Sequence, residues 1–295
     1  MRLDDFDPSQ NVRDLGRGGG GGGGGLGGLI GFLPLLLGRR MGCGSIALLL
    51  VVGALYLFMS GGGGLLSGGG APSATQQAGG GNVACDTAEE RFACQVLAST
   101  EQSWGRVFQA SGQRYPAPTL NFYDGRNTSG CGEAMAAMGP FYCPSDKGIY
   151  LDTSFFAELS QKFQAAGDFA QAYVIAHEVG HHIQTIDGTA DRVRAAQARA
   201  SEAEGNALQV KMELQADCYA GVWGALNRDR LEPGDVQEGL TAAAAIGDDT
   251  LQRQSGGRVQ PESFTHGTSA QRQQWLQRGL QSGNPAACDT FAAGA

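Results

Sequence analysis

The chain has 295 residues, a formal net charge of −8 and a charged fraction of 17%. That acidic balance gives no support to nucleic-acid binding, which leaves a basic footprint. Uninterrupted glycine runs at 18–25, 61–64, 68–70 and 79–81 bury no core and read as flexible tethers.

In chain order, residues 1–40 read as a disordered, Gly-rich cytoplasmic segment; its apolar stretch 29–37 is short and interrupted by Pro34. Residues 41–60 carry no charge, and about twenty residues of helix cross a hydrocarbon core. Arg39 and Arg40 precede them, and no Lys or Arg follows until Arg91. The positive-inside rule then predicts a single-pass anchor in the lipid bilayer of the cell (inner) membrane, with the N-terminus cytoplasmic. The forty residues before the apolar run are long for a cleaved signal peptide. Residues 61–84 read as a linker, and 85–295 as one periplasmic or extracellular domain.

Within that domain, Thr87-Ala88-Glu89-Glu90 forms a capping box, predicting a helix to about Ala110. Strands are expected at 119–123, bounded by Pro118 and Asp124-Gly125, and at 148–152. Helices follow at about 168–185, 191–204 and 205–226, after Pro233, and at 269–281. A small sheet followed by helices is α+β. Cys43 falls in the apolar run; Cys85, Cys94, Cys131, Cys143, Cys218 and Cys288 lie after it. An even count in an exported domain predicts disulfides, with fifteen pairings open. We expect Cys85–Cys94 and Cys131–Cys143, which close short loops, and Cys218–Cys288, which ties the 205–226 helix to the C-terminus.

The chemistry concentrates in His177-Glu178-Val179-Gly180-His181. On a helix this spacing puts two imidazoles on one face, one turn apart, as two ligands of one Zn2+ require. Glu178, between them, is positioned to take a proton from water. His182 points about 100° away and reads as a packed or hydrogen-bonded histidine. A catalytic zinc takes three protein ligands and keeps an open position. Glu213 and Asp217, again at i and i+4, share a face that Ala220 and Gly224 continue with small side chains, so a second helix can approach closely. A likeness to the metzincin pattern would make Asp187 a rival third ligand, but Gln184 stands where that pattern has glycine, so the sharp turn is unsupported.

His177-Glu178-Val179-Gly180-His181 followed by Glu213-Leu214-Gln215-Ala216-Asp217 resembles the gluzincin pattern of zinc peptidases. That resemblance implies a zincin-like fold, Glu213 as third ligand, and Asp217 accepting a hydrogen bond from His177. Ser129-Gly130-Cys131-Gly132, Gly139-Pro140-Phe141-Tyr142-Cys143-Pro144, Tyr150-Leu151-Asp152 and His266-Gly267-Thr268-Ser269-Ala270-Gln271-Arg272 are similar to the bacterial, membrane-anchored family of putative neutral zinc metallopeptidases. A zincin edge strand pairs with extended substrate, which would make Tyr150 and its neighbours that strand. His266 or Arg272 could supply the donor that a developing oxyanion needs; otherwise His266 organises its loop and Arg272 pairs with a carboxylate.

The expected function is therefore a zinc-dependent metalloendopeptidase acting on a peptide or protein, with His177, His181 and Glu213 on the metal and Glu178 as general base. A tethered binding or assembly factor with a non-catalytic zinc is the alternative, although a structural site is normally closed by four protein ligands. A zinc hydrolase acting on cell-wall or other non-peptide amides would share the chemistry.

Overall fold

A computed structural model describes residues 1–17 and 83–292. The first element is a strand, β1 (Val12–Arg17), and the next long one is helix α1 (Ala88–Ala110). Thr87 Oγ1 accepts from the Glu90 N–H, and the Glu90 carboxylate accepts from the Thr87 N–H, so the capping box starts α1 as expected. Then come β2 (Thr119–Asp124), β3 (Arg126–Ser129), β4 (Gly132–Met135), β5 (Phe141–Cys143) and β6 (Gly148–Leu151). Seven helices complete the chain: α2 (Ser154–Gln161), α3 (Asp168–Ile186), α4 (Thr189–Gln197), α5 (Glu202–Leu226), α6 (Asp235–Ala245), α7 (Asp248–Gln254) and α8 (Ser269–Ser282).

The main sheet has the order β1-β2-β6-β5. β2 is parallel to both β1 and β6, while β5 runs antiparallel to β6, with Phe141 opposite Tyr150. β6 is buried along its whole length, as suits an inner strand. β3 and β4 form a separate hairpin, and Cys131–Cys143 ties that hairpin to β5. Cys85–Cys94 and Cys218–Cys288 are the other two disulfides, so all three expected pairings form.

Helix α3 is buried on nearly every face, because α1, α5, α6 and β5 surround it. A helix that is apolar all round belongs at such a centre. Helix α5 lies against α3 and is itself backed by α8. Its Trp223 stacks on Phe169 of α3 and donates to Ser99 of α1, so one side chain fixes three helices.

The α+β class is as expected, but the transmembrane helix expected before the domain is corrected. Among the described residues no helix is long and apolar enough to cross a membrane, and 41–60 lies outside them. β1 supplies a physical reason against the expected arrangement. It hydrogen-bonds along β2, and a single crossing between the two would put paired strands on opposite sides of a bilayer. The first seventeen residues, read as part of a disordered segment, instead belong to the domain: Met1 and Leu3 are buried in the core, and the Met1 ammonium pairs with Asp168, Glu232 and Asp235.

Glycine sets the distance between helices. A Cβ on Gly279 of α8 would lie 2.0 Å from the Cys218 carbonyl oxygen of α5, a separation that atoms do not reach. Gly205, near the start of α5, has nothing within 4 Å. Chemical denaturation should show Gly279→Ala destabilising the domain by about 1–3 kcal/mol through overpacking. Gly205→Ala should stabilise it by about 0.5–1 kcal/mol, because only chain entropy and helix propensity change. A neutral Gly279→Ala would mean that the α5–α8 crossing is looser than described.

Candidate metal centre

The two histidines sit mid-way along α3, and Glu213 faces them from α5. His177 Nε2 is 3.2 Å from Glu213 Oε2, and His181 Nε2 is 3.5 Å from Glu213 Oε1. Nitrogen and oxygen donors of the three residues lie within 4.8 Å of one another. The helices can approach this closely because Gly180 stands opposite Ala216, where an added Cβ would come within 2.9 Å of the Ala216 Cα.

Each imidazole turns its other nitrogen to an oxygen. His177 Nδ1 donates to Asp217 Oδ1 at 2.9 Å, and His181 Nδ1 to Gln184 Oε1 at 2.9 Å. Both Nε2 atoms are then the nitrogens turned to Glu213, the orientation that metal ligation through Nε2 needs. Asp217 is fully buried and held from several directions. Arg272 grips it through Nε and Nη2, both at 2.9 Å, and the Tyr173 hydroxyl donates to it at 2.5 Å. The guanidinium is committed to Asp217 and to the Tyr173 hydroxyl at 3.2 Å; of the two roles open to Arg272, carboxylate pairing is the one seen.

The electrostatics call for a cation. Burial alone would lower the His177 imidazole, but the Asp217 carboxylate and the Glu213 hydrogen bond push it up to about 10. Burial works against the Glu213 charge, yet His181 and His177 hold its carboxyl well below the usual range. Asp217 is held down against its burial chiefly by Arg272. Three buried carboxylates, Glu178, Glu213 and Asp217, face one guanidinium, so a dication brings the cluster to neutrality. Two imidazoles and one carboxylate, with no fourth donor in the group among the described residues, match the ligand set of an open zinc site.

Burial raises the Glu178 carboxyl. Its carboxylate makes no hydrogen bond to another described residue and lines the same cleft of about 610 Å³ as His177, His181 and Glu213. Phe141 and Tyr142 of β5 line it too, as do Met138, Phe155, Phe163 and His266. The edge strand beside the site is thus β5, not the Tyr150 strand expected from the sequence; Tyr150 is on β6, paired on both sides. Fully buried His182 anchors β5 to α3. Its Nε2 donates to the Pro116 carbonyl at 2.6 Å, leaving Nδ1 to accept from the Tyr142 hydroxyl at 3.1 Å. Burial lowers it to about 4, so it stays neutral.

His266 reaches the cleft from the loop before α8, and its partner Asp248 went unnoticed in the sequence. Asp248 Oδ2 accepts from the backbone N–H groups of Thr265, His266 and Gly267 at 2.8, 2.6 and 2.9 Å. Its Oδ1 lies 3.2 Å from His266 Nδ1. An aspartate opening α7 looks like ordinary helix-dipole complementarity, and no local spacing links it to residue 266. Asp187, the rival ligand, accepts from the Thr189 N–H at the end of α3 and stands outside the His177–His181–Glu213 group.

A family model described as putative neutral zinc metallopeptidase matches residues 1–291. The uncharacterized protein YpfJ of Escherichia coli strain K12 is 54% identical over 203 residues, which cover 68% of this chain and 71% of that protein. The uncharacterized protein Mb2605 of Mycobacterium bovis is 44% identical over 213 residues, covering 68% and 71%. No solved structure matches. With the match running through both helices that carry the converging imidazoles and carboxylate, the chain belongs to the family of putative neutral zinc metallopeptidases.

Proposed function

We propose that the domain is a zinc-dependent endopeptidase in which His177, His181 and Glu213 hold the metal and Glu178 is the general base. The observation that carries this reading is a buried Glu178 carboxylate, without a hydrogen bond to another described residue, in the same cleft as three converging ligand atoms. A structural site would be closed by a fourth donor and would have no use for that free base. When bound, zinc supplies Lewis acidity, acidifying water and polarising the scissile carbonyl.

The chain's own residues do the rest. Glu178 takes a proton from water and returns it to the leaving amine; its raised carboxyl suits both directions of transfer. Asp217 holds the His177 ring in the ligating tautomer. His266 lines the cleft with Nδ1 turned to Asp248 and, in its imidazolium form, is the donor for the developing oxyanion. β5 ends the order of the main sheet, so an extended peptide would add beside it as a further strand. Three disulfides suit an oxidising compartment.

Glu178→Gln should retain one equivalent of zinc and lose peptide hydrolysis by at least about a hundredfold; metal analysis paired with peptide-library cleavage checks this, and retained turnover would remove Glu178 as the base. Glu213→Ala should lose stoichiometric zinc, whereas Asp187→Ala should keep it. His266→Ala should lower kcat by about 10²–10³-fold at unchanged zinc content. Asp248→Asn should lower kcat in the same direction, because the loop and the ring lose their common anchor. Steady-state kinetics on the metal-loaded variants reads both; unchanged kcat in His266→Ala would assign the oxyanion donor elsewhere.

A further inference from the structure

His177 turns Nδ1 to the anionic Asp217, whereas His181 turns Nδ1 to a neutral side chain. Gln184, fully buried one turn further along α3, places Oε1 at 2.9 Å from His181 Nδ1. Which end of an amide side chain carries the oxygen is read from its hydrogen-bond partners. Gln184 Nε2 lies 2.7 Å from the Met212 carbonyl oxygen, which can only accept. The amide nitrogen is therefore committed to Met212, and the oxygen must face His181. An amide oxygen can only accept, so Nδ1 of His181 carries a hydrogen and Nε2 is the nitrogen left to face Glu213.

The other end of the relay is fixed too. Gln184 Nε2 also donates to Gln215 Oε1 at 3.1 Å. Gln215 Nε2 donates in turn to the Cys288 carbonyl at 3.0 Å, which sets which end of Gln215 faces Gln184. Cys288 is held to α5 by its disulfide with Cys218.

We infer that Gln184 is a positioning residue for the metal centre, transmitting the direction of the Met212 carbonyl, one residue before Glu213, into the tautomer and ring orientation of His181. This rests on the metal-centre reading above. Charge explains why an amide and not a carboxylate stands there. Glu178, Glu213 and Asp217 already balance Arg272 and a dication, so a fourth buried carboxylate would leave an uncompensated charge. A neutral oxygen orients the ring at no such cost.

The test compares the full chain with Gln184→Met, which keeps the bulk and loses both hydrogen-bonding ends. Zinc affinity is read by chelator competition, geometry by the visible spectrum of the cobalt-substituted protein, and the wild-type tautomer by ring-nitrogen NMR of the zinc-loaded protein. Gln184→Met should weaken zinc by about 10–100-fold and shift the cobalt spectrum. Wild-type spectra should show His181 ligated through Nε2 with Nδ1 protonated, a readout that stands even if the variant fails to fold. Unchanged affinity in a folded Gln184→Met, or ligation of His181 through Nδ1, would overturn the inference and leave the metal centre intact. A wild-type chain that binds no zinc would overturn the metal centre and this inference together.

Discussion

The site depends on how closely two helices lie. At the crossing of α3 and α5, Gly180 faces Ala216 with no space for a methyl group between them. That separation lets a carboxylate on a short arm, Glu213, meet two imidazoles from the neighbouring helix at 3.2 and 3.5 Å. Small residues continue along the α5 face: Gly224 meets Phe169 of α3 near the start of that helix. On its far side α5 is held equally tightly, with Gly221 and Gly279 interleaving at the α8 crossing. Helix α5 is thus clamped between two neighbours, and its functional carboxylates have little freedom to move.

Burying so many charges in one place requires compensation at every step. Asp217 would be costly alone; Arg272 donates to both of its oxygens, and the Tyr173 hydroxyl and His177 Nδ1 share Oδ1 with it. Glu213 is aimed only at histidine nitrogens and at the Gln209 amide. The donor atoms of Glu213, His177 and His181 converge on one another. The Glu178 carboxylate lines the same cleft and adds to its negative potential.

Much of this was legible in the sequence because it depends on local periodicity. Two i, i+4 pairs on helices define the donor faces of His177–His181 and Glu213–Asp217, and the small residues along the second pair point to close approach. The capping box at Thr87 and the short-loop pairs Cys85–Cys94 and Cys131–Cys143 were legible for a similar reason, being set by short spacing, whereas an even count of cysteines does not by itself fix a pair 70 residues apart such as Cys218–Cys288. Contributions fixed by tertiary approach were not legible. β1 lies far in sequence from β2, and its six residues, VRDLGR, alternate too weakly to announce a strand. β5 has three residues, below the length at which a period of two can be seen, so the edge was assigned to its better-patterned neighbour around Tyr150. Asp248 and Gln184 act through backbone groups of distant segments, which no pattern of side chains records. The apolar run at 41–60 met the length and charge criteria for a membrane span, but those criteria say nothing about a strand upstream that pairs into the downstream domain.

The central claim is that one cation is shared by His177, His181 and Glu213. X-ray absorption at the zinc edge of the metal-loaded protein addresses it most directly. The account predicts a first shell of nitrogen and oxygen alone, with two imidazoles at about 2.0–2.1 Å and a carboxylate oxygen at about 2.0–2.2 Å, and loss of the carboxylate contribution in Glu213→Ala. A sulfur shell at about 2.3 Å, or a spectrum with fewer than two imidazoles, would contradict it.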